Sequence, residues 1–167
     1  MLDTVQDIID LYAARGGAGH GSGLISQVEH ALQCASLARQ HGATDELLAA
    51  AFLHDIGHIV IVRPRFVGRE IDDLHQFVAL PFLRSLFGAA VLEPIRLHVD
   101  AKRYLGGPMS NAEASAFLRH RFAGDAIRLR RWDDAARVPG LAVPELAAMG
   151  VVLEAAAGCH KTATAGA

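Results

Sequence analysis

Residues 47–55 read LLAAAFLHD, and this stretch decides the fold. Thr44 precedes it as a helix cap, and the uninterrupted apolar run predicts a helix that lies in the interior of the protein. The run ends on His54 and Asp55, and burying even a neutral polar group without a partner costs roughly 2–7 kcal/mol. The stretch therefore predicts a buried helix and a partner for its two polar residues, and a metal ion would supply that partner.

The segments on both sides of this stretch also read as helices. The first three predicted helices run from a cap at Asp3 or Thr4 through Ala14, from the capping box of Ser26 and Glu29 to Gly42, and from Thr44 into HDIGH at residues 54–58. The next two run from Asp72 or Asp73 through Phe87, with a kink or break at Pro81, and from Ala89 to Leu105. The last three begin at the capping box of Ser110 and Glu113, run from Asp125 to Val138, and run from Pro144 to Ala157. Residues 16–23 and 60–69 are predicted loops, and we expect no strand pairs. The prediction is an all-α protein, a single compact helical bundle of residues 1–157 with a flexible C-terminal tail of residues 158–167.

The composition limits the class of protein. Of the 167 residues, 51% are hydrophobic and 20% are charged, and sixteen basic residues stand against eighteen acidic ones. These values are typical of a globular domain without a basic surface for nucleic acid. The apolar runs are too short for a membrane span, residues 1–4 lack the start of a signal peptide, and Cys34 and Cys159 do not suggest a disulfide framework. We therefore expect a cytoplasmic protein with no nucleic-acid or membrane partner, and leave its oligomeric state open.

Six residues are candidate metal ligands because each interrupts an apolar helix face. They are His30, His54, Asp55, His75, His98 and Asp133. Imidazole nitrogen with carboxylate oxygen suits Fe, Zn, Mn or Ni, and four histidines make the set too nitrogen-rich for Mg or Ca. A single histidine on such a face is more often a hydrogen-bonded core residue. Several of them on five helices, together with a carboxylate that can bridge two ions, favour a dinuclear metal site.

The order of these residues resembles the HD-domain superfamily, many members of which are phosphohydrolases. Five blocks make the resemblance more specific: SQVEHALQ at 26–33, HDIGH at 54–58, HVDAKRYL at 98–105, GGPMS at 106–110 and LRRWDDA at 129–135. Over about residues 5–140 the chain is similar to the mixed-valent diiron oxygenases of phosphonate catabolism (the PhnZ type), which are distant relatives of myo-inositol oxygenase. The resemblance implies the HD-domain helical bundle as the fold.

The resemblance also implies a cofactor, a ligand set and a reaction. One iron would be held by His30, His54, Asp55 and Asp133, and the other by His75, His98 and the second oxygen of Asp55. Asp134 would lie beside the ligands rather than among them. The Fe(II)/Fe(III) pair of this family uses dioxygen as a co-substrate to cleave the carbon–phosphorus bond of a small hydroxylated organophosphonate, and phosphate is released.

Three residues are candidates for binding the phosphonate and stabilising its charge. Lys102 lies four residues after His98 and Arg130 three residues before Asp133, so each shares a helix face with a ligand. Arginine would bind the oxygens through two N–H groups and lysine as a point charge. His58 follows His54 by four residues and resembles a substrate-contacting histidine. An ordinary solvated charge is the open alternative for Lys102 and Arg130.

Two positions depart from the family pattern. His20 and Gly23 stand where the phosphonate oxygenases have a tyrosine over the open iron and a glutamate that recognises an amino group. His20 is a possible sixth ligand, although a histidine in a glycine-rich loop is usually exposed. Without the glutamate we expect a smaller substrate or one without an amino group. The junction of Leu105 and Gly106 is shorter than in the family, which indicates either a more open pocket or a missing segment.

Two other functions fit the same ligands. The runner-up is a phosphohydrolase or nucleotide phosphodiesterase of the HD type, in which Mn, Zn or Ni activates water. The third is a non-catalytic metal- or ligand-binding module. His41, His120 and His160 are expected at the surface, and Cys34 is expected to be a small core residue.

Overall fold

The computed structural model describes residues 2–20, 23–60 and 75–165, and within them helices dominate. The helices are α1 (Val5–Arg15), α2 (Gln27–Gln40), α3 (Asp45–Leu53), α4 (Gly57–Val60), α5 (His75–Leu83), α6 (Ala89–Gly106), α7 (Asn111–Leu118), α8 (Ala123–Ala135) and α9 (Ala148–Ala165), and the strands are β1 (Gly19–His20) and β2 (Ile25–Ser26). The predicted all-α fold class is confirmed.

Side-chain caps fix where several helices begin. Thr4, Ser26 and Ser110 each accept a hydrogen bond from the backbone N–H three residues on, and the acidic side chain at that position accepts one from the backbone N–H of the cap residue. Thr44 caps α3 through the Leu47 N–H. Each cap satisfies backbone donors that the first helical turn leaves free. The two capping boxes predicted for α2 and α7 are confirmed.

Helix α3 lies at the centre of the protein. It packs against α2, α6, α8 and α9. All its residues from Leu47 to Leu53 are buried, and Phe52 and Leu53 are fully inaccessible to solvent. Burying such a side chain contributes about 1.5–3 kcal/mol to folding. Because α3 is enclosed on several sides, the residues at its C-terminal end, His54 and Asp55, emerge inside the protein.

A two-residue β-hairpin corrects the expectation that the chain has no strand pairs. Gly19 pairs with Ser26 and His20 with Ile25 in antiparallel register. The turn closes with a hydrogen bond from the Gly23 N–H to the His20 carbonyl, and Gly23 has a φ of +78°, which favours glycine. The hairpin buries Ile25 and holds His20 in the interior. Two residues per strand are too few for the alternating pattern that predicts a strand.

The ends of some helices also differ from the expectations. Helix α3 ends at Leu53, and a turn separates it from α4. Pro81 lies inside α5 without ending it. The last helix begins at Ala148 and continues to Ala165, into the segment expected as a tail, where alanine favours helix. Whether residues 158–167 are flexible stays a prediction, and the expected loop of residues 60–69 and the caps at Asp72 or Asp73 lie outside the described residues, apart from Val60.

Candidate metal centre

His30 of α2 and His54 after α3 face each other at the first part of the site. Their Nε2 atoms are 3.3 Å apart. His30 Nδ1 donates to the Ala136 carbonyl at 2.7 Å, and His54 Nδ1 donates to the Ala51 carbonyl at 2.9 Å. In a neutral imidazole that donates from Nδ1, Nε2 carries a lone pair. When both rings are neutral, the two lone pairs therefore point into the same small space.

His75 of α5 and His98 of α6 form the second part in a similar way. Their Nε2 atoms lie 3.0 Å apart, and His98 Nδ1 donates to the Ile95 carbonyl at 2.6 Å. Both side chains are buried. The carbonyl of Ile95 thus fixes the tautomer of His98 in the way that the carbonyls of Ala136 and Ala51 fix the other pair.

Asp55 lies between the two histidine pairs. Its Oδ1 is 3.1 Å from His75 Nε2 and 3.5 Å from His54 Nε2, and its Oδ2 is 3.7 Å from His30 Nε2. Asp133 of α8 lies close to the pair of His30 and His54 only, with its Oδ1 3.3 Å from His30 Nε2. One carboxylate therefore has an oxygen toward each pair, as a bridging ligand requires.

The ligand atoms of this cluster are suited to binding a metal ion rather than to forming hydrogen bonds with one another. Imidazole lone pairs and carboxylate oxygens are all acceptors, so their convergence needs either bound protons or a cation. Three triads place their ligand atoms within 4.8 Å: His30–Cys34–His54, His20–His30–Asp133 and Asp55–His75–His98. Histidines whose Nδ1–H donates to a backbone carbonyl are typical of metal sites in which Nε2 binds the ion.

The pKa values of the cluster shift in opposite directions. Burial lowers the pKa of His54, but the carboxylates of Asp55 and Asp133 raise this pKa by a larger amount, so that it reaches about 9. Burial and the neighbouring His54 lower the pKa of His98 to about 3. The pKa of Asp55 lies well below its ordinary value because, although burial raises it, the charges of His54 and His75 lower it more. In the metal-free state, one proton therefore resides on His54 rather than on His98.

His20 is buried rather than exposed as a histidine in a glycine-rich loop usually is. Its ring stacks on that of His30 with centroids 3.8 Å apart, and its Nδ1 is 3.3 Å from Gln27 Oε1 and 3.6 Å from Asp55 Oδ2. Its Nε2 is buried and has no hydrogen-bond partner among the described residues. The geometry therefore brings the candidate sixth ligand to the cluster, and its ligation of a metal stays a prediction.

A cavity of about 510 Å³ opens onto the cluster. Lys102, Arg130 and His58, the three candidate substrate-binding residues, all line it. Lys102 has no hydrogen bond or ion pair with any described residue, so its ammonium group is available to an anion. The His58 ring stacks on that of His75 at 4.2 Å, and its Nε2 is 4.0 Å from Asp55 Oδ1.

Arg130 binds carboxylates within its own helix. Its Nη1 donates to Asp133 Oδ2 at 2.5 Å, and its Nε donates to Asp134 Oδ2 at 3.1 Å. Asp134 is exposed and contacts the cluster through Arg130, and its place beside the metal ligands stays a prediction. Arg130 therefore orients Asp133 in this structure, and its binding of a substrate stays a prediction.

Sequence reasoning missed Arg137, Gln27 and the position of Cys34. Arg137 lines the cavity and donates from Nη2 to Asp133 Oδ1 at 3.2 Å; its spacing of four residues after Asp133 was the available signal. Gln27 also lines the cavity. Cys34 is a buried core residue as expected, but its Sγ lies 3.7 Å from His30 Nε2.

A second cavity of about 520 Å³ lies at the short junction after α6. Leu105, Gly106 and Gly107 line it together with Lys102 and Arg130, which also face the first cavity. The short junction thus leaves open space next to the candidate phosphonate-binding cations. A more open pocket was one of the two expectations for this junction.

The remaining histidines and the two cysteines lie outside the proposed ligand set. His41 is exposed as expected, whereas His120 and His160 are only partly exposed, and His120 lies 3.3 Å from Glu93. Neither Cys34 nor Cys159 forms a disulfide within the part of the chain that the structure describes. Among the described residues, no helix has the length and apolar character needed to cross a membrane.

Comparison with known proteins identifies the family. The HD domain model matches residues 28–126. The chain is 41% identical to a hydroxymethylphosphonate dioxygenase of Gimesia maris, over 73% of each protein. It is 27% identical to a glycine-betaine-forming 1-hydroxy-2-(trimethylamino)ethylphosphonate dioxygenase of Leisingera caerulea, over 84% of each. The chain therefore belongs to the HD domain family.

Proposed function

We propose that this protein is an oxygenase that uses dioxygen to cleave the carbon–phosphorus bond of a small hydroxylated organophosphonate and releases phosphate. The observation that carries the proposal is a single cavity in which Lys102, a cation without a described partner, lies beside the cluster of imidazoles and carboxylates. The similarity to a hydroxymethylphosphonate dioxygenase supports the same reaction.

The metal group that we propose is a pair of irons, Fe(II) and Fe(III). His30, His54 and Asp133 would hold one iron, His75 and His98 the other, and Asp55 both, with His20 as a further ligand of the first. Nitrogen-rich sites with carboxylates suit iron. When bound, the irons supply the redox chemistry toward dioxygen and act as Lewis acids toward the oxygens of the substrate.

The protein's own residues bind and orient the phosphonate. Lys102 would attract the dianion as a point charge, and His58 would donate a hydrogen bond to it from its place beside His75. Arg130 lines both cavities and would contribute positive charge to them. Val99 and Ile59 also line the cavity, and their apolar surfaces limit the water around the reacting carbon.

We propose hydroxymethylphosphonate as the substrate. It is the smallest hydroxylated phosphonate, and Gly23 offers no side chain for an amino group. The reaction balances as HOCH₂PO₃²⁻ + O₂ → HCOO⁻ + H₂PO₄⁻. The carbon–phosphorus bond breaks, both oxygen atoms enter the products, and the substrate itself supplies all the electrons. No external reductant is required, so no reductase partner is proposed. We also propose a cytoplasmic location, because the positions of Cys34, inside a helix, and Cys159, near the end of the sequence, do not suggest a disulfide framework.

The test is phosphate release from hydroxymethylphosphonate by anaerobically purified, iron-loaded protein with and without oxygen. We expect one phosphate and one formate per O₂ consumed, and none without oxygen. Phosphate release without oxygen, in the presence of Mn, Zn or Ni, would instead establish a hydrolase.

Lys102→Ala separates substrate binding from metal binding. Removing a charged hydrogen-bond partner costs about 1.5–3 kcal/mol, so KM for the phosphonate should rise roughly 10- to 100-fold while the iron content is unchanged. Lys102→Arg, which keeps the charge, should recover part of the loss. Loss of iron in the alanine variant would assign Lys102 a structural role and contradict the proposal.

A further inference from the structure

Two arginines hold Asp133 through different oxygens. Arg130 Nη1 donates to Oδ2 at 2.5 Å, whereas Arg137 Nη2 donates to Oδ1 at 3.2 Å. Oδ1 is also the oxygen nearest to the histidines, 3.3 Å from His30 Nε2 and 3.8 Å from His54 Nε2. Arg137 therefore contacts the oxygen that faces the first histidine pair, and Arg130 the oxygen that faces away from it.

Arg137 belongs to a short segment that contacts this pair more than once. Residues 136–138 follow the end of α8. The Ala136 carbonyl accepts the hydrogen bond from His30 Nδ1, and Arg137 Nε donates to the Asp133 carbonyl at 3.4 Å. Consecutive residues of one segment thus contact two candidate ligands of the same metal position, one through the backbone and one through the side chain.

Gln33 fixes this segment to helix α2. Its Nε2 donates to the Val138 carbonyl at 2.8 Å, and its Oε1 accepts from the Val138 N–H at 3.1 Å. Gln33 is buried and lies on the same helix as His30. The Gln33 side chain therefore binds both backbone groups of Val138 and holds the segment in place. Because Arg137 precedes Val138, its backbone position relative to Asp133 is fixed as well.

We propose that Arg137 is a positioning residue that sets the affinity and geometry of the metal position formed by His30, His54 and Asp133. This inference rests on the proposed metal centre. Arg137 fixes the rotation of the Asp133 carboxylate and withdraws electron density from Oδ1. The position formed by His75 and His98 does not include Asp133, and Arg137 makes no hydrogen bond to either histidine in the described part of the chain. Changing a residue that holds a metal ligand in this way usually costs 10- to 100-fold in metal affinity.

The test is titration of the metal-free protein with Co(II), whose visible absorption reports the coordination of each ion. Wild type should bind two ions per chain. Arg137→Ala should weaken one of the two binding steps by about 10- to 100-fold and change its absorption bands, and the other step should keep its affinity. Arg137→Lys should lose less, because the charge is retained. Arg131→Ala, an exposed arginine of α8, is the matched control and should bind Co(II) as wild type does.

The outcomes are distinct from those of the proposed function. Equal affinities and spectra for wild type and Arg137→Ala would overturn the role of Arg137, as would an equal weakening of both steps, which indicates a general loss of structure. If the alanine variant does not fold, the lysine variant must show the selective change of one step, and its absence would overturn the inference. Wild-type protein that binds no Co(II) would overturn the metal centre itself.

Discussion

At the scale of single residues, the site is defined by which nitrogen of each histidine carries a proton. Backbone carbonyls of Ala136, Ala51 and Ile95 accept from the Nδ1 atoms of His30, His54 and His98. The sequence could predict the types of ligand, because polar residues interrupt apolar helix faces. It could not predict these carbonyl partners, since the Ala136 carbonyl lies 106 residues from His30 and depends on how α8 ends.

Asp55→Ala should remove both metal ions from the protein. The carboxylate has an oxygen toward each histidine pair, so its loss affects both positions. Metal analysis of the purified variant measures this directly. Asp134→Ala is the control, because Asp134 is an exposed carboxylate whose partner is Arg130, and it should keep both ions. Two ions per chain in the Asp55 variant would contradict the bridging assignment.

Metal binding should release a proton from His54. Its pKa in the metal-free protein is raised to about 9, mainly by Asp55 and Asp133 against the effect of burial. The proton stabilises the metal-free protein below the ordinary histidine pKa, and this contribution is lost as the pH rises through about 9. A metal at Nε2 must displace the proton, so metal affinity should rise with pH up to about 9 and then level off.

Calorimetry of the metal titration in buffers of different ionisation enthalpy measures this release. At about pH 7.5 we expect the observed heat to vary with the buffer in proportion to roughly one proton per chain. The variation should diminish as the pH rises through about 9, because an increasing fraction of His54 is then neutral before the metal binds. Heat that is the same in every buffer at the lower pH would show that His54 is neutral before the metal binds.

At the scale of elements, helices with side-chain caps were predictable and close backbone contacts were not. Thr4, Thr44 and the boxes of Ser26 and Ser110 mark helix starts because their signals lie within four residues. The β-hairpin escaped prediction because its two strands have only two residues each. The turn between α3 and α4 escaped it too, since the apolar pattern continues across Ile56.

Gly57→Ala should displace the start of α5 and weaken the second metal position. A Cβ at Gly57 would lie 2.2 Å from the His75 carbonyl oxygen, closer than any side-chain carbon approaches backbone. The start of α5 must therefore move, and His75 with it. We expect a lower melting temperature and loss of one of two bound ions. Gly150→Ala, where a Cβ meets nothing within 4 Å, should lower neither. An unchanged metal content in the Gly57 variant would show that α5 adjusts without moving His75.

At the scale of the whole molecule, the buried helix α3 places the two metal positions. Its C-terminal end emerges among α2, α5, α6 and α8, each of which contributes a candidate ligand. The sequence predicted that these residues converge, because each interrupts an apolar face that must turn inward. It could not predict the shape of the cavity above them, which depends on the hairpin and on the junction after α6.

The number and state of the bound irons test the central claim most directly. Protein purified without oxygen and oxidised by one electron should contain two irons per chain. It should also give the EPR signal of a half-integer spin from a coupled Fe(II)/Fe(III) pair, and the signal should change when hydroxymethylphosphonate is added. One iron per chain, or two irons that never give a coupled signal, would contradict the account.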